Sequence, residues 1–104
     1  YKRQGQCLLE QTIYTQDGQL ASGSFTDYAM PRAEHAPHVH FVSKPSPART
    51  NALGVKGCGE AGCAGALTSV MNALTDALAR HGVGPVDMPA TPLRLFEAIR
   101  AAQS

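Results

Sequence analysis

The run Gly54-Val55-Lys56-Gly57-Cys58-Gly59-Glu60-Ala61-Gly62 packs four of the chain's ten glycines into nine residues, immediately ahead of a long apolar-periodic segment. Backbone this bare approaches a neighbour closely, and at the head of a helix it exposes N–H groups. Behind it, Ala64, Leu67, Val70, Met71, Leu74, Ala77 and Leu78 recur at three- and four-residue steps, the pattern of a helix with one apolar stripe. Gly82, just past Arg80 and His81, is placed to end that helix. A loop-to-helix junction carrying one acid, Glu60, is therefore the feature around which the fold is built.

On either side the signals are shorter. A first helix is expected over about residues 4 to 14, with Leu8, Leu9 and Ile13 on its apolar side, and Asp17-Gly18 marks a turn. Phe25, Tyr28 and Met30 follow, and Pro31 stops that stretch. Pro37, Pro45 and Pro47 exclude a long helix over 32–50. Within that stretch, His38-Val39-His40-Phe41-Val42 alternates polar and apolar residues as a half-buried strand does. Thr91 with Pro92 behind it opens a last helix, expected to turn Leu95, Phe96 and Ile99 inward. The fold class expected is α+β: about three helices with short strands between the first two.

At 104 residues the chain makes one small unit, 1–104. The net charge of +1, with Lys and Arg scattered, provides no field for nucleic acid or a membrane surface. No apolar run approaches the roughly 20 residues that span a bilayer. Three cysteines make no disulfide framework and are read as reduced thiols of a cytoplasmic protein. Tyr1 to Arg3 run into the first helix without a cap, so the chain reads as a fragment that begins inside an element.

Gly57-Cys58-Gly59-Glu60-Ala61-Gly62 matches the G-x-G-x-x-G pattern of dinucleotide folds, but the context fails. Residues 50–56 make a poor buried strand, and 82–90 hold no apolar run for a second one. Glu60 then has two readings. It complements the helix dipole, worth about 0.3–1 kcal/mol, or it faces a cleft as a base. Periodicity and spacing do not choose between them. His35, His38 and His40 with Cys58 and Cys63 have zinc-ligand chemistry, but C-x4-C is a loose spacing. Cys58 as a nucleophile lacks a base at recognisable spacing. The expectation is no metal held by these side chains.

Four segments carry a family resemblance that covers essentially the whole chain. Asn51-Ala52-Leu53-Gly54-Val55-Lys56-Gly57-Cys58-Gly59-Glu60-Ala61-Gly62 resembles the N-P-L-G-V-K-G-V-G-E-A-G segment of xanthine dehydrogenase-like and carbon monoxide dehydrogenase-like large subunits. Gln4-Gly5-Gln6 through Glu10-Gln11 is similar to their Q-G-x-G-x-A-L-x-E-Q helix. Ser24-Phe25-Thr26-Asp27-Tyr28-Ala29-Met30-Pro31-Arg32 and Asp87-Met88-Pro89-Ala90-Thr91-Pro92 resemble S-F-x-D-Y-x-x-P and D-M-P-x-T-P. Ala52 replaces the usual Pro, Cys58 a common Val, and Cys63 a Thr or small residue.

The resemblance implies the C-terminal part of the molybdopterin-binding domain of a molybdenum hydroxylase, an oxidoreductase. It implies that Glu60 is the general base acting on a molybdenum-bound hydroxyl, whose oxygen attacks an aldehyde, N-heterocycle or similar substrate. Gly57, Cys58 and Gly59 are implied to line the cofactor, a molybdenum-molybdopterin in its cytosine dinucleotide form. The implied partners are the remainder of the subunit and iron–sulfur and FAD subunits or domains. The isolated chain is expected neither to retain cofactor nor to turn over. Two readings stand beside this one: a non-catalytic interaction or assembly module, and a small zinc-binding domain.

Overall fold

One long helix organises the molecule. The computed structural model of the chain describes residues 3–104; the expected uncapped start at Tyr1 and Lys2 lies outside them. Helix α2, defined here as Ala61–Ala79, forms where the apolar stripe requires it. It ends in the paired bonds of a Schellman motif: Val83 N–H donates to Leu78 O at 3.3 Å and Gly82 N–H to Ala79 O at 3.1 Å. Gly82 supplies the left-handed backbone, φ 73°. Leu78 and Val83, which the motif brings together, are both buried.

Helix α1 spans only Gln4–Leu8, not the 4 to 14 that periodicity predicts. Beyond Leu9 the run Thr12-Ile13-Tyr14-Thr15 is β-branched and aromatic, and such residues favour extended backbone. It folds into a reverse turn around Asp17-Gly18. Tyr14 and Leu20 form an isolated antiparallel bridge, Thr15 N–H donates to Gln19 O at 2.8 Å and Ala21 N–H to Ile13 O at 2.8 Å. The buried hydroxyl of Ser22 accepts from Ile13 N–H at 2.9 Å. Ile13 is thus part of this turn and half in solvent, not on a helical apolar face.

The β half of the α+β expectation is corrected. Among the described residues that bridge is the extent of the pairing, and His38–Val42 forms no strand. A strand needs a partner ladder, and this segment lies between prolines that offer no N–H to one. Its Phe41 is 83% exposed. The expected absence of a long helix over 32–50 agrees with the structure, which has only a short 3₁₀ turn at Ala33–His35.

Helix α3, Pro92–Ala102, begins where Thr91 and Pro92 place it, with the Thr91 hydroxyl accepting from Arg94 N–H at 3.4 Å. Leu95 and Ile99 are half-buried, whereas Phe96 is 60% exposed and does not turn inward as expected. One residue is about 100° around a helix, which takes Phe96 off the side that Leu95 and Ile99 share.

The core sits where α1 crosses α2. Cys7 is fully buried, and its Sγ–H donates to Leu67 O at 3.7 Å. Its own carbonyl accepts from Ala90 N–H at 2.6 Å, tying the segment before α3 to α1. Gly5 lies against Pro31 so closely that a Cβ there would collide with the ring. Glu10 Oε1 accepts from Tyr28 Oη–H at 2.9 Å, and this bond holds the phenol proton and raises the Tyr28 pKa. The molecule is nonetheless extended: its radius of gyration is 18.1 Å, against roughly 13 Å for a compact domain of about 100 residues.

Candidate functional site

The loop ahead of α2 is set by one side chain that the sequence reading gave no role. Asn51 Nδ2 donates to Val55 O at 3.0 Å, while Val55 N–H donates to Asn51 Oδ1 at 3.1 Å. Gly54 between them has φ 64°, a left-handed conformation, and a Cβ there would meet Pro47 Cβ at 3.0 Å. Both facts require glycine. Its carbonyl accepts from Ala48 N–H at 2.9 Å, which closes the loop on the preceding segment. Lys56 then reaches back, its Nζ donating to Ser46 Oγ at 3.4 Å.

Gly57 and Gly59 differ from Gly54. Neither has left-handed backbone, and a Cβ on either would meet no atom within 4 Å. Neither left-handed backbone nor close contact with a described residue accounts for glycine at these two positions. Cys58 between them is exposed, and its carbonyl accepts from Ala61 N–H at 3.2 Å to make the turn into α2.

Glu60 occupies the N-cap of α2, with φ −98° and ψ −2°. Its carbonyl accepts from Cys63 N–H at 2.9 Å and Ala64 N–H at 3.0 Å, so the backbone is locked into the helix. Its carboxylate is exposed and makes no capping hydrogen bond, and no other acid stands in the first turn. The side chain is neither packed against its own domain nor used to satisfy the helix amides. The turn thus presents an exposed carboxylate at the head of α2, next to Gly59.

Tertiary structure adds a residue from the far end of the sequence. Arg3 Nε–H donates to Cys63 Sγ at 3.4 Å, bringing the start of α1 to the first turn of α2. The hydrogen bond to Cys63 raises the pKa of Arg3, which stays exposed and charged. A lone Arg three residues from the start of the sequence gave no signal of this. The stripe of α2 is covered in part by α1: Leu67, Val70 and Leu74 are half-buried and Leu78 is buried. The open apolar surface lies elsewhere.

The other chemistry-bearing residues do not converge. His35 Nδ1 accepts from Arg32 N–H at 2.9 Å, a local cap on the 3₁₀ turn. His38 and His40 are exposed on the extended segment. Among the described residues no group of three or more His, Cys, Asp or Glu is placed to hold a metal ion. No helix there is long and apolar enough to cross a membrane.

No family model matches the chain. Known proteins do. It is 38% identical over 93 residues to the 6-hydroxypseudooxynicotine dehydrogenase complex subunit gamma of Paenarthrobacter nicotinovorans, covering 88% of this chain and 12% of that one. It is 36% identical over 96 residues to the nicotine 6-hydroxylase large subunit of the same organism, covering 92% and 12%. The crystal structure of quinoline 2-oxidoreductase from Pseudomonas putida 86 superposes with a TM-score of 0.80 at 34% identity, over 89% of this chain and 12% of that one. The chain belongs to the molybdenum hydroxylase large-subunit family.

The likeness extends to the carbon monoxide dehydrogenase large chain of Hydrogenophaga pseudoflava, at 29% identity over 91 residues. This molybdenum hydroxylase segment spans about one eighth of the length of the relatives it matches. Relatives named as subunit gamma, large subunit and large chain are parts of multi-subunit enzymes. The matched structure shares this chain's overall fold over nearly its whole length.

Proposed function

We propose that the chain is the C-terminal part of the catalytic, molybdopterin-binding subunit of a molybdenum hydroxylase, and that Glu60 is its general base. The observation that carries this reading is the exposed Glu60 carboxylate on a backbone-locked turn, beside two glycines where, among the described residues, a Cβ would meet only open space. Glycine at Gly57 and Gly59 is explained if a large group rests on the loop in the whole subunit, where side chains would stand in its way. The residues present therefore fit a bound cofactor.

Gly57, Cys58 and Gly59 would hold the cofactor through their backbone, and Glu60 would lie next to them in the chain. When bound, the molybdenum centre supplies the oxygen transferred to the substrate and takes up two electrons. The work of this chain would be proton handling: a Glu60 Oε would accept a proton from the reacting group and pass it on to solvent. Asn51 keeps the turn in place while this happens. The cofactor is a molybdopterin in its cytosine dinucleotide form, and electrons leave through iron–sulfur and FAD subunits of a cytoplasmic complex. The substrate is a small molecule, an aldehyde or N-heterocycle. On its own the 104-residue chain neither retains the cofactor nor turns over.

The test is Glu60→Gln in the full-length holoenzyme. It keeps size and removes the basic carboxylate, so turnover should fall by at least about 10²–10⁴, the usual contribution of a positioned base. Molybdenum content and the circular dichroism spectrum should stay unchanged. Near-normal turnover with full metal loading ends the assignment.

A further inference from the structure

The glycine loop is a short strap held at both ends. At its far end Cys58 O accepts from Ala61 N–H at 3.2 Å, and Glu60 O accepts from the first turn of α2. At its near end one side chain grips both backbone groups of Val55. Asn51 Nδ2 donates to Val55 O at 3.0 Å, and Val55 N–H donates to Asn51 Oδ1 at 3.1 Å. Only an amide side chain both donates and accepts in this way. The grip is itself supported: Gly54 N–H donates to Asn51 O at 3.1 Å and Ala48 N–H to Gly54 O at 2.9 Å. These bonds all fall within 48–55, so the near anchor is built by its own segment. Between the anchors lie Lys56, Gly57, Cys58 and Gly59, and a Cβ at either glycine would meet open space among the described residues.

We infer that Asn51 is a latch for cofactor retention, a positioning residue that governs how long the cofactor stays and not how fast a proton moves. The inference rests on the proposed contact of Gly57, Cys58 and Gly59 with the cofactor. Glycine leaves room for a bulky group, but it also has the most backbone freedom to lose when that group binds. A strap fixed at both ends has given up much of that freedom beforehand, and such preorganisation appears as affinity. Affinity changes of this kind fall mainly on the rate of dissociation. Releasing the near anchor frees the strap from Lys56 onward. It does not free Glu60, whose backbone is held by Cys63 N–H at 2.9 Å and Ala64 N–H at 3.0 Å from the other side. The two anchors therefore serve different ends: α2 fixes the acid, and Asn51 fixes the glycines.

The experiment uses the full-length subunit in its complex, with Asn51→Ala and the milder Asn51→Asp, which keeps the acceptor for Val55 N–H and loses the donor. Molybdenum remaining on the protein is measured against time after dilution into cofactor-free buffer. Turnover is expressed per bound molybdenum, and amide exchange is followed at Val55 and along α2. Asn51→Ala should release molybdenum about five- to tenfold faster than wild type, the factor for losing bonds of ordinary strength. Its turnover per molybdenum should stay close to wild type, and exchange should quicken at Val55 but not in α2. Asn51→Asp should fall between the two, and it is read by the same criteria if the alanine variant assembles without metal. Wild-type release from the variants, exchange quickened equally along α2, or turnover per molybdenum that falls in step with retention would overturn the inference. The underlying reading fails separately. A wild-type subunit that binds no molybdenum removes that reading, whereas normal loading with unaltered release from Asn51→Ala removes the latch alone.

Discussion

Asn51 and Val55 exchange two hydrogen bonds across the left-handed Gly54, at 3.0 and 3.1 Å, and this clasp sets the direction in which the chain enters the glycine loop. The clasp ends at Val55, two residues ahead of Gly57 and five ahead of Glu60. It positions the site without belonging to it.

Asn51→Ala removes both partners of Val55. Each bond contributes about 0.5–1.5 kcal/mol net, and solvent partly replaces both here, so a local loss of about 1 kcal/mol is expected. Hydrogen exchange at the Val55 amide should quicken by roughly fivefold. Asn51→Asp, which keeps the acceptor, should retain part of the protection. Unchanged exchange in the alanine variant would show that the clasp does not set the loop.

Gly5→Ala puts a methyl group into the Pro31 ring. Ring and helix must separate, at a cost of about 1–3 kcal/mol, typical of overpacking in a close contact. Limited proteolysis after Arg32 should speed up, and wild-type resistance in this variant would contradict the packing.

Gly82→Ala meets open space, so any effect is conformational. The left-handed φ of 73° costs a residue with a Cβ about 1 kcal/mol or more. The urea midpoint should fall with the slope unchanged. The same substitution at Gly57, with ordinary φ and equally open space, should leave stability alone while impairing cofactor retention in the full subunit.

The three thiols should separate by burial. Cys58 is exposed and should alkylate first, Cys63 more slowly, and Cys7 only on unfolding. Burial pushes the Cys7 thiol up, so its folded pKa lies above its unfolded one. Below the unfolded value both states are protonated and the group contributes no pH dependence. As pH rises past it the unfolded chain ionises first, so stability declines on the alkaline side. Cys7→Ser should lessen that decline, as denaturant titration at several alkaline pH values would show; an unchanged decline would assign it to another group.

Much of this was legible in residues that act locally. The stripe from Ala64 to Leu78, the stop at Gly82 and the Thr91-Pro92 start each depend on bonds within one turn of helix, and α2 and α3 follow them. The motif order from Gln4 to Pro92 was sufficient for the family, because four spaced segments are rarely matched together by chance. Where the outcome depended on contacts across the chain, local signals failed. Helix α1 stops at Leu8, and the chain beyond it turns back so that Tyr14 bridges Leu20. His38–Val42 has strand alternation but no neighbouring strand to bond with. Phe96 sits on the wrong side of a helix whose packed face only the fold defines.

Composition and spacing thus determined which segments are helical, where the glycine loop lies and that Glu60 heads the long helix. Tertiary structure alone decided that this carboxylate stands in the open, that Arg3 comes to the first turn beside it, and that a Cβ at Gly57 or Gly59 would meet open space among the described residues. The division has a physical cause. Helix periodicity and capping are settled by residues three or four apart, whereas exposure and close approach depend on which distant atoms arrive, and no spacing rule records those.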